Sequence, residues 1–245
     1  MRINSVFVAL FLLSSCANSD ATKVASAEAK EEDQVIPVVE DFGPEEFEGL
    51  VDVRSYSKEI YVDLKYATED NFMSFPLYDR MKRAYLQPDV AQRLAYCQSY
   101  LSAIDNSKHL LIYDAARPVS VQKLMWDALD TVPAAERGKY VSNPVNLSLH
   151  NLGCAVDVTI CNIDGVALDM GAGFDDFRDI AFPNKEAQFL KSGELTKKQH
   201  ENRLLLRKVM ASQNFRQLPT EWWHYNAYSR DVARKKFGAL QVEPH

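Results

Sequence analysis

Histidine is scarce in this 245-residue chain, five in all, and cysteine (four) and tryptophan (three) are scarcer still. So few cysteines exclude a disulfide-dense mini-scaffold, and nine glycines with ten prolines exclude a collagen-like or low-complexity polymer. No basic run occurs and the formal net charge is −6, which removes the electrostatic footprint of a nucleic-acid binder. After the N-terminus nothing approaches the roughly 18 consecutive apolar residues needed to cross a bilayer. What is present, 47% hydrophobic and 25% charged residues, suits a globular protein with one core.

The first residues stand apart. Arg2 precedes an apolar run from Val6 to Leu13, followed by Leu13-Ser14-Ser15-Cys16. A charged start, a short hydrophobic region and a small-residue cleavage site make residues 1–15 a signal peptide rather than a structural helix. The Leu-Ser-Ser-Cys end resembles the bacterial lipobox, which implies a lipidated Cys16 and attachment to the membrane through that lipid only. Ala17 in place of Asp then points to the periplasmic face of the outer membrane. Ordinary cleavage and a soluble periplasmic protein is the alternative. Residues 16–45 read as a tether, because Ala17 to Gln34 offers one valine and no aromatic to set against its ordering entropy.

One domain is expected over residues 46–240, with 241–245 as a tail. Ile60 to Tyr66 alternates with period two and predicts a half-buried strand. Pro88 opens a predicted helix whose stripe is Val90, Leu94, Cys97, Leu101 and Ile104. Leu110 to Tyr113 predicts a buried strand ending at Asp114, and Pro118 keeps Arg117 extended. Ser120 is expected to cap a helix with Val121, Leu124, Met125, Ala128 and Leu129 on one face. Residues 133–146 have no strong period and read as a loop. After Gly153, Cys154 to Ile160 predicts a strand that carries Asp157, a residue disfavoured there by propensity and so suggestive of a task. Asp164-Gly165 signals a hairpin turn. Thr196 and Gln199 form a capping box for a helix from Lys197 to about Ser212, with Leu205 and Val209 inward. The expected class is α+β: helices beside a largely antiparallel sheet. Cys154 and Cys161 would sit roughly 23 Å apart at ~3.3 Å per residue, too far to pair with each other; Cys97 could reach either.

With so few histidines the candidate metal ligands sort quickly. His109, His200 and His245 have no chemical neighbour at a useful spacing. His150 stands seven residues before Asp157, and His224 three after Glu221. A spacing of three faces two side chains the same way only if a bulge or loop breaks the strand at Glu221. Two imidazoles and one carboxylate can hold a zinc ion with its fourth position open to water. Glu221 is the candidate base and Arg117 the candidate stabiliser of a developing oxyanion, with a salt bridge to Asp114 as the even alternative for Arg117. Trp222 and Trp223 read as packing groups that position their neighbours.

Tyr66-Ala67-Thr68 with Asn71-Phe72, Asp114 through Pro118, Ser148-x-His150-x-x-Gly153-x-Ala155-x-Asp157, Met170-Gly171 with Phe174-Asp175, and Glu221-Trp222-Trp223-His224-Tyr225 run in order along the chain. Together they resemble the D-alanyl-D-alanine dipeptidases of the vancomycin-resistance type, zinc peptidases that share a fold with lysostaphin-like enzymes and the hedgehog signalling domain. The resemblance implies one zinc held by His150, Asp157 and His224, Glu221 as base and Arg117 at the transition state. It further implies Tyr66 and Asp175 on the substrate's ammonium and Ser148 on its carboxylate. The substrate implied is a D-amino-acid dipeptide or a peptidoglycan stem fragment. A D,D- or L,D-carboxypeptidase is the alternative enzyme, and a cell-wall-binding module with structural zinc is the non-enzymatic one. Leu152 stands where the family usually carries Arg, Ala116 where it often has an aromatic, and Met73-Ser74 where Thr-Gly is common.

Overall fold

The computed structural model describes residues 45–244, so the expected signal peptide, Cys16 and nearly all of the tether lie outside the described residues. The chain begins with β1 (Glu46–Phe47) and β2 (Leu50–Asp52), then β3 (Tyr61–Val62) and β4 (Tyr85–Leu86). Next come α1 (Pro88–Ile104), β5 (Lys108–Asp114), α2 (Val119–Ala128) and α3 (Ala134–Arg137). They are followed by β6 (Ala155–Asn162), α4 (Glu186–Ser192), α5 (Lys197–Ala211), β7 (Arg216–Leu218), β8 (Glu221–Asn226) and α6 (Arg230–Lys236). A small sheet has the order β1-β2-β4. The main sheet runs β3-β5-β6-β8-β7, antiparallel except where β3 pairs with β5. This is an α+β fold with a largely antiparallel sheet, as expected.

The strand expected from Ile60 to Tyr66 is shortened to the two residues of β3. Its period was genuine, since Ile60, Leu64 and Tyr66 are all buried. A 3-10 turn over Lys65–Ala67 bends the second half inward. There the Tyr66 carbonyl accepts from the backbone N–H groups of Leu77 and Tyr78, at 2.7 and 2.8 Å, instead of pairing with a neighbouring strand.

In α1, Val90, Leu94, Cys97 and Leu101 are buried behind Pro88 in the first turn, but Ile104 is exposed because the helix ends there and the stripe runs out over solvent. The second helix starts before Ser120, and its Pro118 cap makes no side-chain bond. The N–H groups of Val119 and Ser120 donate instead to Leu240 and Gln241 carbonyls of the C-terminal segment, so no hydroxyl cap is required. Leu124 of its expected inner face is exposed. The expected 133–146 loop holds the short helix α3 and a 3-10 turn at Pro144–Asn146, each started by or just after a proline. Both halves of the capping box at Thr196 and Gln199 form, though Leu206 rather than Leu205 is the fully buried residue of α5 beside Val209. The turn at Asp164-Gly165 forms with Gly165 at φ +78°. Cys97, Cys154 and Cys161 are buried free thiols. Among the described residues no helix is long and apolar enough to cross a membrane.

Strand β6 is the centre of the main sheet and is buried from Ala155 to Cys161, so both of its faces are covered. Its register is what builds the site. Asp157 lies opposite His224 of β8 on one side and opposite Asp114 of β5 on the other. Asp114 reaches that row through a bulge: β5 advances two residues, Ile112 to Asp114, while β6 advances one.

Candidate metal centre

His150 is not on a strand. It opens a 3-10 turn, His150–Leu152, that ends at Gly153 with φ +62°. A Cβ at Gly153 would lie 2.7 Å from Leu50 Cδ2 and 3.1 Å from the Gln87 backbone nitrogen, so only glycine lets the turn pack this closely. The turn delivers the His150 ring to the Asp157–His224 row. His150 Nε2 is 3.1 Å from His224 Nδ1, His224 Nδ1 is 2.9 Å from Asp157 Oδ1, and His150 Nε2 is 3.4 Å from the same oxygen. One ligand atom from each of the three buried residues falls within 4.8 Å of the others.

The donor set fits a divalent cation, and the reason lies in the far side of each ring. His150 Nδ1 donates to the Ala115 carbonyl at 2.6 Å, and His224 Nε2 donates to Asn226 Oδ1 at 2.9 Å. With those nitrogens carrying the protons, the two facing nitrogens present lone pairs to each other and to a carboxylate. Such convergence is repulsive unless positive charge sits between them. The site's affinity for positive charge is visible in its acid–base behaviour. Burial would raise the Asp157 carboxyl, yet the charge and hydrogen bonds of both imidazoles hold it far below the usual range. Burial would lower His224, but the Asp157 hydrogen bond and charge outweigh it and push the ring up to about 9.

Glu221 begins β8, and its Oε2 lies 3.7 Å from His224 Nδ1. The strand is irregular here: Leu218 of β7 pairs with Glu221 while the adjacent Gln217 pairs with Tyr225, leaving three β8 residues without a register partner on β7. That is the break which a three-residue spacing demanded. Burial raises the Glu221 carboxyl above its ordinary value, with Asp157 adding to the rise and His224 opposing it. Trp222 and Trp223 are buried, the first donating its indole N–H to the Ala172 carbonyl at 3.1 Å.

Arg117 makes the expected salt bridge to Asp114. Its Nη2 and Nε donate to Asp114 Oδ2 at 2.7 and 3.1 Å, Nη1 donates to Gln122 Oε1 at 3.1 Å, and Nη2 stands 3.8 Å from Asp157 Oδ2. The guanidinium also lines the cleft, lying 4.8 Å over the Tyr66 ring. Tyr66 donates its hydroxyl to Asp175 Oδ1 at 3.1 Å, and the Phe72 N–H approaches Oδ2 at 3.4 Å. Burial and then the charge of Asp175 keep the Tyr66 phenol well above its usual pKa, so it stays a donor. Burial, followed by the charge of Asp157, pushes Asp175 up to about 8. Ser148 lines the same cleft, but its hydroxyl and N–H both donate to Asn151 Oδ1, at 3.1 and 2.7 Å, so it also ties down the turn behind His150. The cleft encloses about 160 Å³ among these residues, with Tyr140, Val141, Phe177 and Arg230 around it.

Asp114, expected from the sequence only as a partner for Arg117, does more, and two further residues, Asn151 and Asn226, shape the site without having been singled out from the sequence. Asp114 is fully buried and holds Arg117, accepts from the Tyr78 hydroxyl at 2.5 Å, and lies 3.4 Å from His150 Nδ1. Asn151 donates to the Arg117 carbonyl at 2.7 Å. Asn226 orients His224, and it alone had a legible signal: two residues along a strand is the same face.

The model of the M15 peptidase family, described as D-ala-D-ala dipeptidase, matches residues 46–242. A D-alanyl-D-alanine dipeptidase of Escherichia coli K12 is 32% identical over 176 residues, 72% of this chain and 83% of that protein. Proteins of the same name from Enterococcus faecalis V583 and Synechocystis sp. PCC 6803 are 30% and 28% identical, covering 66% and 58% of this chain and 83% and 68% of theirs. Among solved structures, a mutant of the vancomycin-resistance D,D-pentapeptidase VanY from a VanB-type resistance cassette, in complex with Zn(II), aligns over 63% of this chain and 79% of its own at TM-score 0.32 and 14% identity. The family match over nearly all the described residues, together with an ordered cation-fitting centre, makes this chain a member of the D-Ala-D-Ala dipeptidase family of M15 metallopeptidases.

Proposed function

We propose that this protein is a zinc D,D-dipeptidase that cleaves D-Ala-D-Ala in cell-wall peptide turnover. The observation that carries this is a cleft with a cation-fitting triad at its centre and a carboxyl group, Asp175, held beside it by the Tyr66 hydroxyl. Zinc held by His150, Asp157 and His224 would supply Lewis acidity, bringing the pKa of a water in its fourth position towards about 7.

The rest is the work of the chain itself. Glu221 takes the proton of the attacking water and returns it to the leaving amine. Its burial supports that role, because a raised pKa brings a carboxylate nearer the operating pH. Arg117, fixed by Asp114 and Gln122, offers permanently charged donors to the oxyanion. Asp175, with Tyr66 donating to it, receives the substrate's ammonium, and Ser148 faces its carboxylate. A cleft of about 160 Å³ is below the roughly 300–1,000 Å³ of drug-sized sites and supports a very small substrate.

Purified protein is expected to contain one zinc per chain and to release D-alanine from D-Ala-D-Ala, with activity lost on chelation and restored by zinc. Hydrolysis of a pentapeptide stem but not of the free dipeptide would replace this account with the carboxypeptidase alternative. The Leu13-Ser14-Ser15-Cys16 sequence supports export and lipid anchoring, on the periplasmic face of the outer membrane. Cys16→Ser should then shift the protein from the membrane to the soluble fraction; an unchanged distribution counts against the anchor.

A further inference from the structure

The most deeply buried charge in the described residues that the proposed chemistry does not use is Arg203, on α5. Its side chain has no solvent exposure, and the nearest carboxylate oxygen, on Glu186, is 3.6 Å away, beyond hydrogen-bond distance. Glu186 is shared, within ion-pair distance of Arg203 but hydrogen-bonded to Arg207, at 2.8 and 3.0 Å. The hydrogen bonds of Arg203 go to main-chain carbonyls: Nε to Met170 at 2.6 Å and Nη1 to Ile180 at 3.0 Å, while Nη2 has no partner. Burying a guanidinium this way is costly, and what it obtains is a grip on two points of one loop. Those points bracket Asp175, which sits between them in the left-handed region at φ +57°, a strained conformation for a residue with a Cβ.

The neighbours of Arg203 reinforce the grip. Asn202 donates to the Asp169 carbonyl at 2.8 Å, and Gln199 donates to the Asp169 carboxylate at 2.8 Å. At Gly171, φ +77°, a Cβ would fall 2.6 Å from Leu195 Cδ1, so the loop is seated against this part of the chain without space to spare.

We propose that Arg203 is a positioning residue for substrate selection: by clamping both ends of the 170–180 loop it holds Asp175 in place to receive the free ammonium end of the substrate. This rests on the role of Asp175 given above. The guanidinium fork can span two carbonyls in fixed geometry, whereas a lysine ammonium keeps the charge without the span.

The test compares D-Ala-D-Ala with N-acetyl-D-Ala-D-Ala as substrates for the full-length zinc-loaded protein, well below each variant's unfolding temperature. The parent should strongly prefer the free amine, and Asp175→Asn should abolish that preference. Arg203→Lys is expected to lower the preference about tenfold. The loss should appear in KM for the free-amine substrate, with zinc content and turnover of the acetylated one unchanged. Should Arg203→Lys fail to fold, Asn202→Ala is read the same way, with a smaller loss in the same direction. Preference lost in Asp175→Asn but intact in a folded Arg203→Lys, or Asn202→Ala in its place, overturns the positioning role alone. A parent that does not discriminate overturns the role of Asp175 and this inference with it.

Discussion

The two halves of the cleft are built by different means. The metal-facing half stands on the middle of the sheet: Asp157 and His224 are register partners on β6 and β8, and Asp114 completes the row from β5. The substrate-facing half stands on irregular chain. Tyr66 comes from a 3-10 turn and Asp175 from a loop, in the left-handed backbone region at φ +57°. Two of the three candidate ligands are carried by paired, buried strands, and the third, His150, is brought to them by a 3-10 turn closed at Gly153. The groups proposed to select among substrates are carried by a turn and a loop, the latter bonded at both ends by Arg203. The contrast implies that damage to the sheet half should abolish chemistry, while damage to the loop half should alter selection first.

The sharpest way to break the contrast is at the row itself. His224→Ala or Asp157→Ala should eliminate bound metal and with it measurable hydrolysis, read by metal analysis beside a D-alanine release assay. Retained stoichiometric metal would show that the triad is not the centre. Glu221→Gln comes next: kcat should fall about 10²–10⁴-fold with zinc content unchanged, because only the proton transfer is removed.

On the loop side, Asp175→Asn should cost activity and yet improve stability in alkali. The folded-state pKa of Asp175 is raised, from 3.8 to about 8, so its contribution to stability is full below the unfolded value and is lost as pH rises through about 8. An uncharged amide escapes that loss. Thermal melts of Asp175→Asn should therefore run above the parent at pH 9, with the advantage vanishing near pH 4; equal melts at pH 9 would mean the carboxylate is compensated there. Gly153→Ala joins the halves, since the turn behind His150 leaves no space for a Cβ at positive φ. A loss of about 1–3 kcal/mol is expected by denaturant titration, along with weaker metal retention. Smallest of all, Ile104→Lys on the exposed end of α1 should change stability by no more than about 0.5 kcal/mol.

Much of the sheet half was legible before any coordinates. Asp157 announced itself as an acid in an apolar strand, and the Glu221–His224 spacing required a break that β8 has opposite Leu218. Most of the α1 stripe, Val209 of α5 and the capping box of α5 followed from periodicity and local hydrogen bonding, which are short-range. What failed was whatever depended on a distant partner. Ile60–Tyr66 alternates like a strand, but a loop that bonds to the Tyr66 carbonyl turns half of it away. Ser120 looked like a cap until the C-terminal segment proved to supply the acceptors. Ser74 occupies the left-handed region at φ +58°, which no turn signal in the sequence announced.

From sequence alone came the residue types able to hold a cation and move a proton, and the strand and helix periods that carry them, because both are properties of neighbours along the chain. Only the tertiary structure decided that a bulge in β5 brings Asp114 into line with Asp157, that Arg117 is both paired and facing the cleft, and that Arg203 spans the loop around Asp175. Those arrangements join residues tens of positions apart through register and burial, and no local preference encodes such distances.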